Sequence, residues 1–398
     1  MRGTEIEAAG ELAGDALAAV GTLVADVHEG VAGRAFSALG AIAAPVRVVH
    51  DGISRAVYGG VRGALRVGPR GGARALAAGA PAGGPALAEH PQGSLALAAL
   101  NGVCGDRLAA RRSELTLELR LRRGAGPATG RIAVFVHGLC ETDAAWRLGG
   151  RPTYGDRLRD ELGYSPVYAR YNTGLHVSDN GRALARALDA LVAEWPVAVE
   201  ELVLIGHSMG GLVARSAGHY GGRFTAVVRH VFCLGTPHLG ADLEKGANAV
   251  AWALGRLPET RPFGAALNAR SAGIKDLRYG SCVEDDWCDG DPDEFLRDRC
   301  REVPFLPGAH YYFIGARLSP GAVGALLGDL LVRMPSASGR GRGRRVPFAI
   351  GHGHELPGLT HFHLLNHPAV YAQLRAWLDH RAAATTAAAT PASPRAFG

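Results

Sequence analysis

Three observations predict an α/β fold, a mostly parallel sheet flanked by helices on both faces. Continuous apolar runs such as Ile132-Ala133-Val134-Phe135-Val136 and Leu202-Val203-Leu204-Ile205 show no alternation, as strands buried on both faces require. Amphipathic stretches of helical period separate these runs, most clearly Gly181 to Trp195. Finally, Gly206-His207-Ser208-Met209-Gly210-Gly211 follows the Leu202 run at once and precedes an Ala/Val/Arg-rich helical stretch. That is G-x-S-x-G between strand and helix, where a tight turn lifts a serine clear of the sheet.

Taken in order, residues 1–110 read as a helical N-terminal extension. Leu17, Val20, Val24, Val27 and Val31 carry a broken helical period, and Gly68 to Pro85 reads as a flexible linker. Two interpretations stay open: a helical hairpin or bundle packed on the main domain, or a membrane-surface helix with a weak polar face. From residue 111 to 381 the α/β domain is expected. Glu114 to Leu121 alternates with period two, as a half-exposed strand should. Further strands are expected at Pro166–Tyr171, Val231–Leu234, His310–Ile314 and Val346–Ile350, with Pro347 confining the last to an edge or a strand start. The apolar-rich segment 241–307 reads as an insertion, a cap or lid above the serine turn or a cover for the sheet edge. Residues 382–398 form an Ala/Thr/Pro tail with no reason to fold.

Composition excludes several classes. A hydrophobic share of 47% with 20% charged residues is that of a globular protein. The basic surplus of +6 is carried by arginine, since Lys245 and Lys275 are the only lysines. Its one dense run, Arg340 to Arg345, is interleaved with glycine and lacks aromatic partners, so no nucleic-acid partner is expected. The acids near the N-terminus argue against a secretory signal, and no stretch reaches the ~20 apolar residues of a membrane span. A cytoplasmic protein with reduced thiols is therefore expected, peripheral to a membrane if residues 1–110 contact one. Cys282, Cys288 and Cys300 are near enough in sequence to pair.

The chemistry gathers around Ser208. A serine hydroxyl needs a base to take its proton and a third group to orient that base. Asp329 follows the His310 strand in Leu327-Gly328-Asp329-Leu330-Leu331-Val332 and fits the acid, with a turn or cap aspartate as the alternative. His361 in Gly358-Leu359-Thr360-His361 is the best base, placed after the last strand and before the C-terminal helix. His363 is free to face elsewhere, His367 reads as a helix-start residue, and His352, His354 and Glu355 suggest a weaker metal-site alternative. Backbone amides for an oxyanion hole are expected at Met209, after the serine, and at Leu139, in the Val136-His137-Gly138-Leu139-Cys140 turn. His137 reads as a scaffold histidine.

Val136-His137-Gly138-Leu139, the Gly206–Gly211 turn, Leu234-Gly235-Thr236-Pro237-His238-Leu239-Gly240-Ala241 and Gly358-Leu359-Thr360-His361 resemble segments of bacterial lipases and esterases of the α/β-hydrolase superfamily. The set is also similar to the deacylase domain related to the eukaryotic enzyme that removes the acyl chain from GPI-anchor inositol. The resemblance covers roughly residues 113–381. It implies an α/β-hydrolase fold, a Ser208–Asp329–His361 triad, acyl-enzyme chemistry on hydrophobic or lipid esters, and no cofactor or metal. The acid departs from the lipase pattern, because Asp329 precedes Leu330-Leu331-Val332-Arg333 rather than Gly or a polar residue and then Val-Pro. An acyltransferase on the same triad and a non-catalytic, lipid-associated protein on a hydrolase scaffold remain alternatives. Oligomeric state is not legible.

Overall fold

A computed structural model describes residues 1–81, 84–318, 328–329, 331–341 and 343–388. Its centre is a seven-stranded sheet in the order β1-β3-β2-β4-β5-β6-β7. The strands are β1 (Arg120–Arg123), β2 (Arg131–Val136), β3 (Ser165–Arg170), β4 (Glu201–His207), β5 (Val228–Leu234), β6 (His310–Arg317) and β7 (Gly353–Pro357). Only β1 runs antiparallel to its neighbour; all other pairs are parallel.

The continuous apolar runs divide by parity, as a pleated strand demands. Ile132, Val134 and Val136 of β2 pack on one side, under α5 (Val177–Glu194) and α6 (Met209–Tyr220). Ala133 and Phe135 pack on the other, in the layer that holds Leu158 of α4 (Tyr154–Leu162) and Tyr371 and Leu374 of the C-terminal helix. Burial on both faces is why these strands show no alternation in sequence. Together with the strand order and the turn at Ser208, this layering is an α/β-hydrolase fold.

Two strand expectations are corrected. Glu114–Leu119 is not in the sheet; Asn101 of α3 (Pro91–Ala110) takes its backbone instead, with Nδ2 donating to Leu115 O (2.8 Å) and Oδ1 accepting from Leu117 N (2.9 Å). The period-two pattern survives because Leu115 and Leu117 pack with Leu97 and Leu108 of α3. The last strand is not Val346–Ile350 but Gly353–Pro357, which pairs with β6 in the register Phe313↔Gly353. Phe348 instead packs edge-on against Phe313. Gly353 opens β7 because a Cβ there would stand 2.2 Å from the Phe313 ring.

The N-terminal extension is an antiparallel pair of long helices, α1 (Gly3–Leu39) and α2 (Ala44–Ala78). The linker expected from Gly68 is absent up to Ala78, since α2 runs through Pro69. Proline forfeits one helical hydrogen bond, but here close packing on α1 outweighs it: a Cβ on Gly10 would fall 2.1 Å from Ala73 Cβ, and one on Gly14 2.5 Å from Arg66 O. Contrary to the sequence expectation, α1 holds an 18-residue window of mean hydropathy 1.3, long and apolar enough by length and composition to cross a membrane. At the other end, the C-terminal helix α10 (Pro368–Ala388) extends past the expected start of the tail at residue 382, and 389–398 lie outside the described residues. Segment 241–307 folds as α7 (Asp242–Leu254), α8 (Arg261–Asn268), α9 (Ala272–Asp276) and loops. Among the described residues all six cysteines are free thiols.

Candidate active site

Ser208 sits between β4 and α6 at φ 52°, ψ −123°, a backbone conformation that L-residues adopt only under constraint. Its amide is fixed by Leu234 O at 2.8 Å. The flanking glycines are obligatory for steric reasons. A Cβ on Gly206 would stand 2.5 Å from the Gly211 backbone, and one on Gly210 would stand 2.1 Å from Val136 O. Gly210→Ala is therefore expected to destabilise the fold by more than about 4 kcal/mol. Urea unfolding of purified protein checks this, and an unshifted midpoint would contradict it.

The turn after β2 lies against the serine, since a Cβ on Gly138 would approach Ser208 Cβ to 3.0 Å. Gly138 N donates to Glu141 Oε2 (2.7 Å) and Cys140 N to Thr173 Oγ1 (3.2 Å). Between them, the Leu139 amide donates to no described group, and Leu139 lines the cavity at Ser208. Met209, fully buried, is the first residue of α6, so its N–H belongs to the donors that a helix start leaves without internal acceptors. His137 is buried, stacks on Tyr171 with ring centroids 4.5 Å apart, and turns Nδ1 to Gly138 O at 2.9 Å. Burial lowers its pKa.

Asp329 and His361 meet in the structure. His361 Nδ1 is 2.7 Å from Asp329 Oδ2, with both side chains almost fully buried. Asp329 Oδ1 accepts from Leu331 N (3.0 Å) and Val332 N (2.7 Å), and the His361 amide donates to Asp329 O (3.1 Å). Leu327 and Leu330 lie outside the described residues. Gly235 (φ 60°) makes room for the imidazole, because a Cβ there would lie 2.9 Å from Cε1 of His361. His361 Nε2 is buried and bonds to no described group. It shares one cavity with Ser208, but no hydrogen bond joins the two side chains here. Such contacts often tighten only when substrate is bound.

The other histidines are engaged elsewhere. His363 Nδ1 accepts from Thr360 N, and His367 Nδ1 accepts from Ala369 N at the start of α10. His352 closes a turn around Gly351 (φ 82°), its amide donating to Ala349 O at 3.1 Å, whereas His354 and Glu355 stand on β7, where Glu355 pairs with Arg317 at 2.8 Å. Among the described residues no group of three metal-ligating side chains converges.

Sequence reasoning missed the pair beneath the site. His207, fully buried, turns Nδ1 to Glu141 Oε2 (3.1 Å) and Nε2 to the His361 carbonyl (3.2 Å). Burial opposes the charge on each partner, yet the partners overcome it. The charge and hydrogen bond of His207, with the Gly138 amide, hold the Glu141 carboxyl down at about 2. Glu141 in turn raises the His207 imidazole above its usual value. Both acceptors, a carboxylate and a carbonyl, can be satisfied together only when His207 carries both ring protons. The only sequence signal was His207 itself, inside the motif; its partner lies 66 residues away.

The cavity at Ser208 measures about 290 Å³ and is walled chiefly by apolar side chains, among them Leu139, Ala247, Ile274, Leu277 and Val332. Beside Ser208 and His361 its polar lining is Glu141, Glu244 and Arg270, and the Glu244 carboxylate binds Arg270 (2.9 Å) and Arg278 (3.0 Å). Segment 241–307 supplies Glu244, Arg270 and much of the apolar lining.

Comparison with solved structures finds similarity at low sequence identity. The mature lipase BlEst2 of Bacillus licheniformis aligns over 66% of this chain and 97% of its own, at 18% identity and TM-score 0.44. A thermophilic esterase from Thermogutta terrifontis aligns over 66% and 93%, at 13% identity and TM-score 0.40. The phospholipase PlaB of Legionella pneumophila aligns over 63% of this chain and 59% of its own, at 19% identity and TM-score 0.37. A comparison with curated proteins finds no match. Residues 128–255, from just before β2 to just after α7 with Ser208 inside them, match the model of the PGAP1-like alpha/beta domain family, in line with the resemblance carried by the motifs.

Proposed function

We propose that the protein is a serine carboxylester hydrolase that cleaves hydrophobic or lipid esters through an acyl-enzyme on Ser208. The observation that carries this reading is one apolar cavity shared by Ser208, at positive φ, and His361, whose Nδ1 is bound by Asp329 at 2.7 Å. An apolar wall beside a few convergent polar groups suits an acyl chain rather than a charged substrate.

In this mechanism Ser208 Oγ attacks the ester carbonyl while His361 Nε2 takes its proton. Asp329 holds the ring by Nδ1 and stabilises the imidazolium that forms. The carbonyl oxygen becomes an oxyanion within reach of the Leu139 and Met209 amides, helped by the positive end of α6. His361 returns the proton to the departing alcohol, leaving the acyl group on Ser208. Water then attacks the acyl carbon, giving its proton to His361, and His361 passes that proton to Ser208 Oγ as the bond to the acyl carbon breaks and the acid leaves. Segment 241–307 acts as the cap that shapes the acyl pocket.

A fluorophosphonate probe tests the proposal directly, because it reacts only with an activated, accessible serine. Peptide mapping is expected to place the label on Ser208, with no labelling of Ser208→Ala. Absence of label, or label on another residue, would overturn the reading.

A further inference from the structure

The N-terminal hairpin is built inside out. Its interior is small: Gly10, Gly14, Ala18 and Gly21 are buried on α1, and Ala73 on α2. Its large aliphatic side chains point outward. Leu17, Val20, Val24 and Val31 of α1 and Val46, Val49, Ile53, Val57 and Val61 of α2 are 43% to 62% exposed. The aromatic rings meet between the two helices, half-buried, where His28 packs on His50 and Tyr58, and Phe36 on His50.

At about 100° per residue, the two exposed stripes fall on the same side of the antiparallel pair. The ionic contacts fall on the opposite side, where Asp15 of α1 binds Arg66 (3.3 Å) and Arg70 (2.9 Å) of α2. One broad face is thus aliphatic along both helices, which at 1.5 Å per residue are about 50 Å long.

We propose that this face docks the protein on an anionic lipid surface, with α1 and α2 lying in the interface plane. Three features favour lipid over a protein partner. Close backbone packing through small residues holds helices together where the surroundings are themselves apolar. The face lacks the Trp, Tyr and Arg anchors that dominate protein–protein contacts. The charge is divided between the helices: α1 carries six acids against Arg34 and α2 six arginines against Asp51, so the basic groups that would meet an anionic surface are those of α2. Arg55, Arg62 and Arg74 pair with no carboxylate among the described residues, and Arg47 and Arg74 border the stripe by helical position. The hairpin also touches the cap, Arg34 binding Glu259 at 2.6 Å and Gly30 lying against Pro258, so docking would bring the α7–α8 turn to the surface.

The test is co-sedimentation of the full chain with phosphatidylcholine vesicles with or without phosphatidylglycerol. Wild type is expected to bind the anionic vesicles, at least about 10-fold more tightly than the neutral ones. Combined Val49→Glu, Ile53→Glu and Val57→Glu, all at exposed positions, should weaken that binding at least about 100-fold with an unchanged circular dichroism spectrum. This variant should still turn over a soluble nitrophenyl ester, and Ser208→Ala should still bind vesicles, so docking stands or falls apart from the catalytic proposal. Docking is overturned if wild type ignores both vesicles or if the triple variant binds as wild type does. A dimer in lipid-free solution that the triple variant dissociates would overturn it too, by making the face a self-interface. Equal affinity for the two compositions would overturn the role given to the arginines.

Discussion

Ser208→Ala is expected to lower kcat for a medium-chain nitrophenyl ester by about 10⁴- to 10⁶-fold while leaving thermal unfolding unchanged. The size follows from the division of labour. The hydroxyl supplies the bond-forming electron pair, and nothing else in the cavity replaces it. The rate that remains reflects binding and the oxyanion donors alone. Stability should be indifferent because Ser208 Oγ makes no hydrogen bond among the described residues. The strained backbone is equally available to alanine, which keeps the Cβ. Kinetics and a melting curve on the same preparation check both halves. Undiminished turnover would remove Ser208 from the mechanism.

The second large effect is expected at Glu141, which never touches the ester in the proposed mechanism. In Glu141→Gln the single oxygen that receives both Gly138 N and His207 Nδ1 keeps its place but loses its charge. His207 then has no counter-ion in a buried site and sheds a proton. A neutral imidazole that still donates through Nδ1 cannot also donate through Nε2, so the bond to the His361 carbonyl is lost. Breaking one side of a buried ion pair costs about 3 kcal/mol, or roughly 6–12 °C in Tm for a domain of this size. Turnover should fall as well, because the segment carrying His361 loses an anchor.

The pH dependence has a definite sign. Glu141, held at about 2 against an ordinary 4.5, contributes stability above the ordinary value that is lost as pH falls toward 2. His207, raised above 6.5, contributes stability below that value, lost as pH climbs through its folded pKa. The pair therefore stabilises most between about 4.5 and 6.5, and Glu141→Gln should flatten this window. Melting curves across pH measure it. An unaltered profile would show that the pair carries no charge.

How far sequence led depended on whether the determining contacts were local. The turn at Ser208 was legible because its steric demands fall on Gly206 and Gly210, two residues either side. β2 and β4 were legible because burial on both faces leaves an unbroken apolar run. β7 was not, since an edge strand with the sequence Gly-His-Glu-Leu-Pro has little apolar surface to bury, and the nearby Val346–Ile350 run misled. The strand expected at Glu114 failed because its alternation reports packing on α3, not membership of a sheet. Asp329 and His361 could be named from chain order, but their approach to 2.7 Å is a tertiary fact. Glu141 was hidden altogether: its meaning comes from His207, and only the folded sheet brings the β2 and β4 turns together. The linker expected at Gly68 failed for a related reason, glycine on α1 making room for a proline-containing helix that local propensity alone would break.

The end of β5 touches both members of the proposed reacting pair. Leu234 O holds the Ser208 amide, and the next residue, Gly235, is the surface against which the His361 ring rests. Gly235 N is itself tied to Ile314 O of β6 at 2.8 Å. The proposed nucleophile and base thus both rest against one strand end, so a displacement of that end would reach both. Rotation about Cα–Cβ of Ser208, which would turn Oγ within the cavity it shares with His361, is a motion of picoseconds to nanoseconds, orders of magnitude faster than the roughly 1–10³ s⁻¹ turnover usual of enzymes.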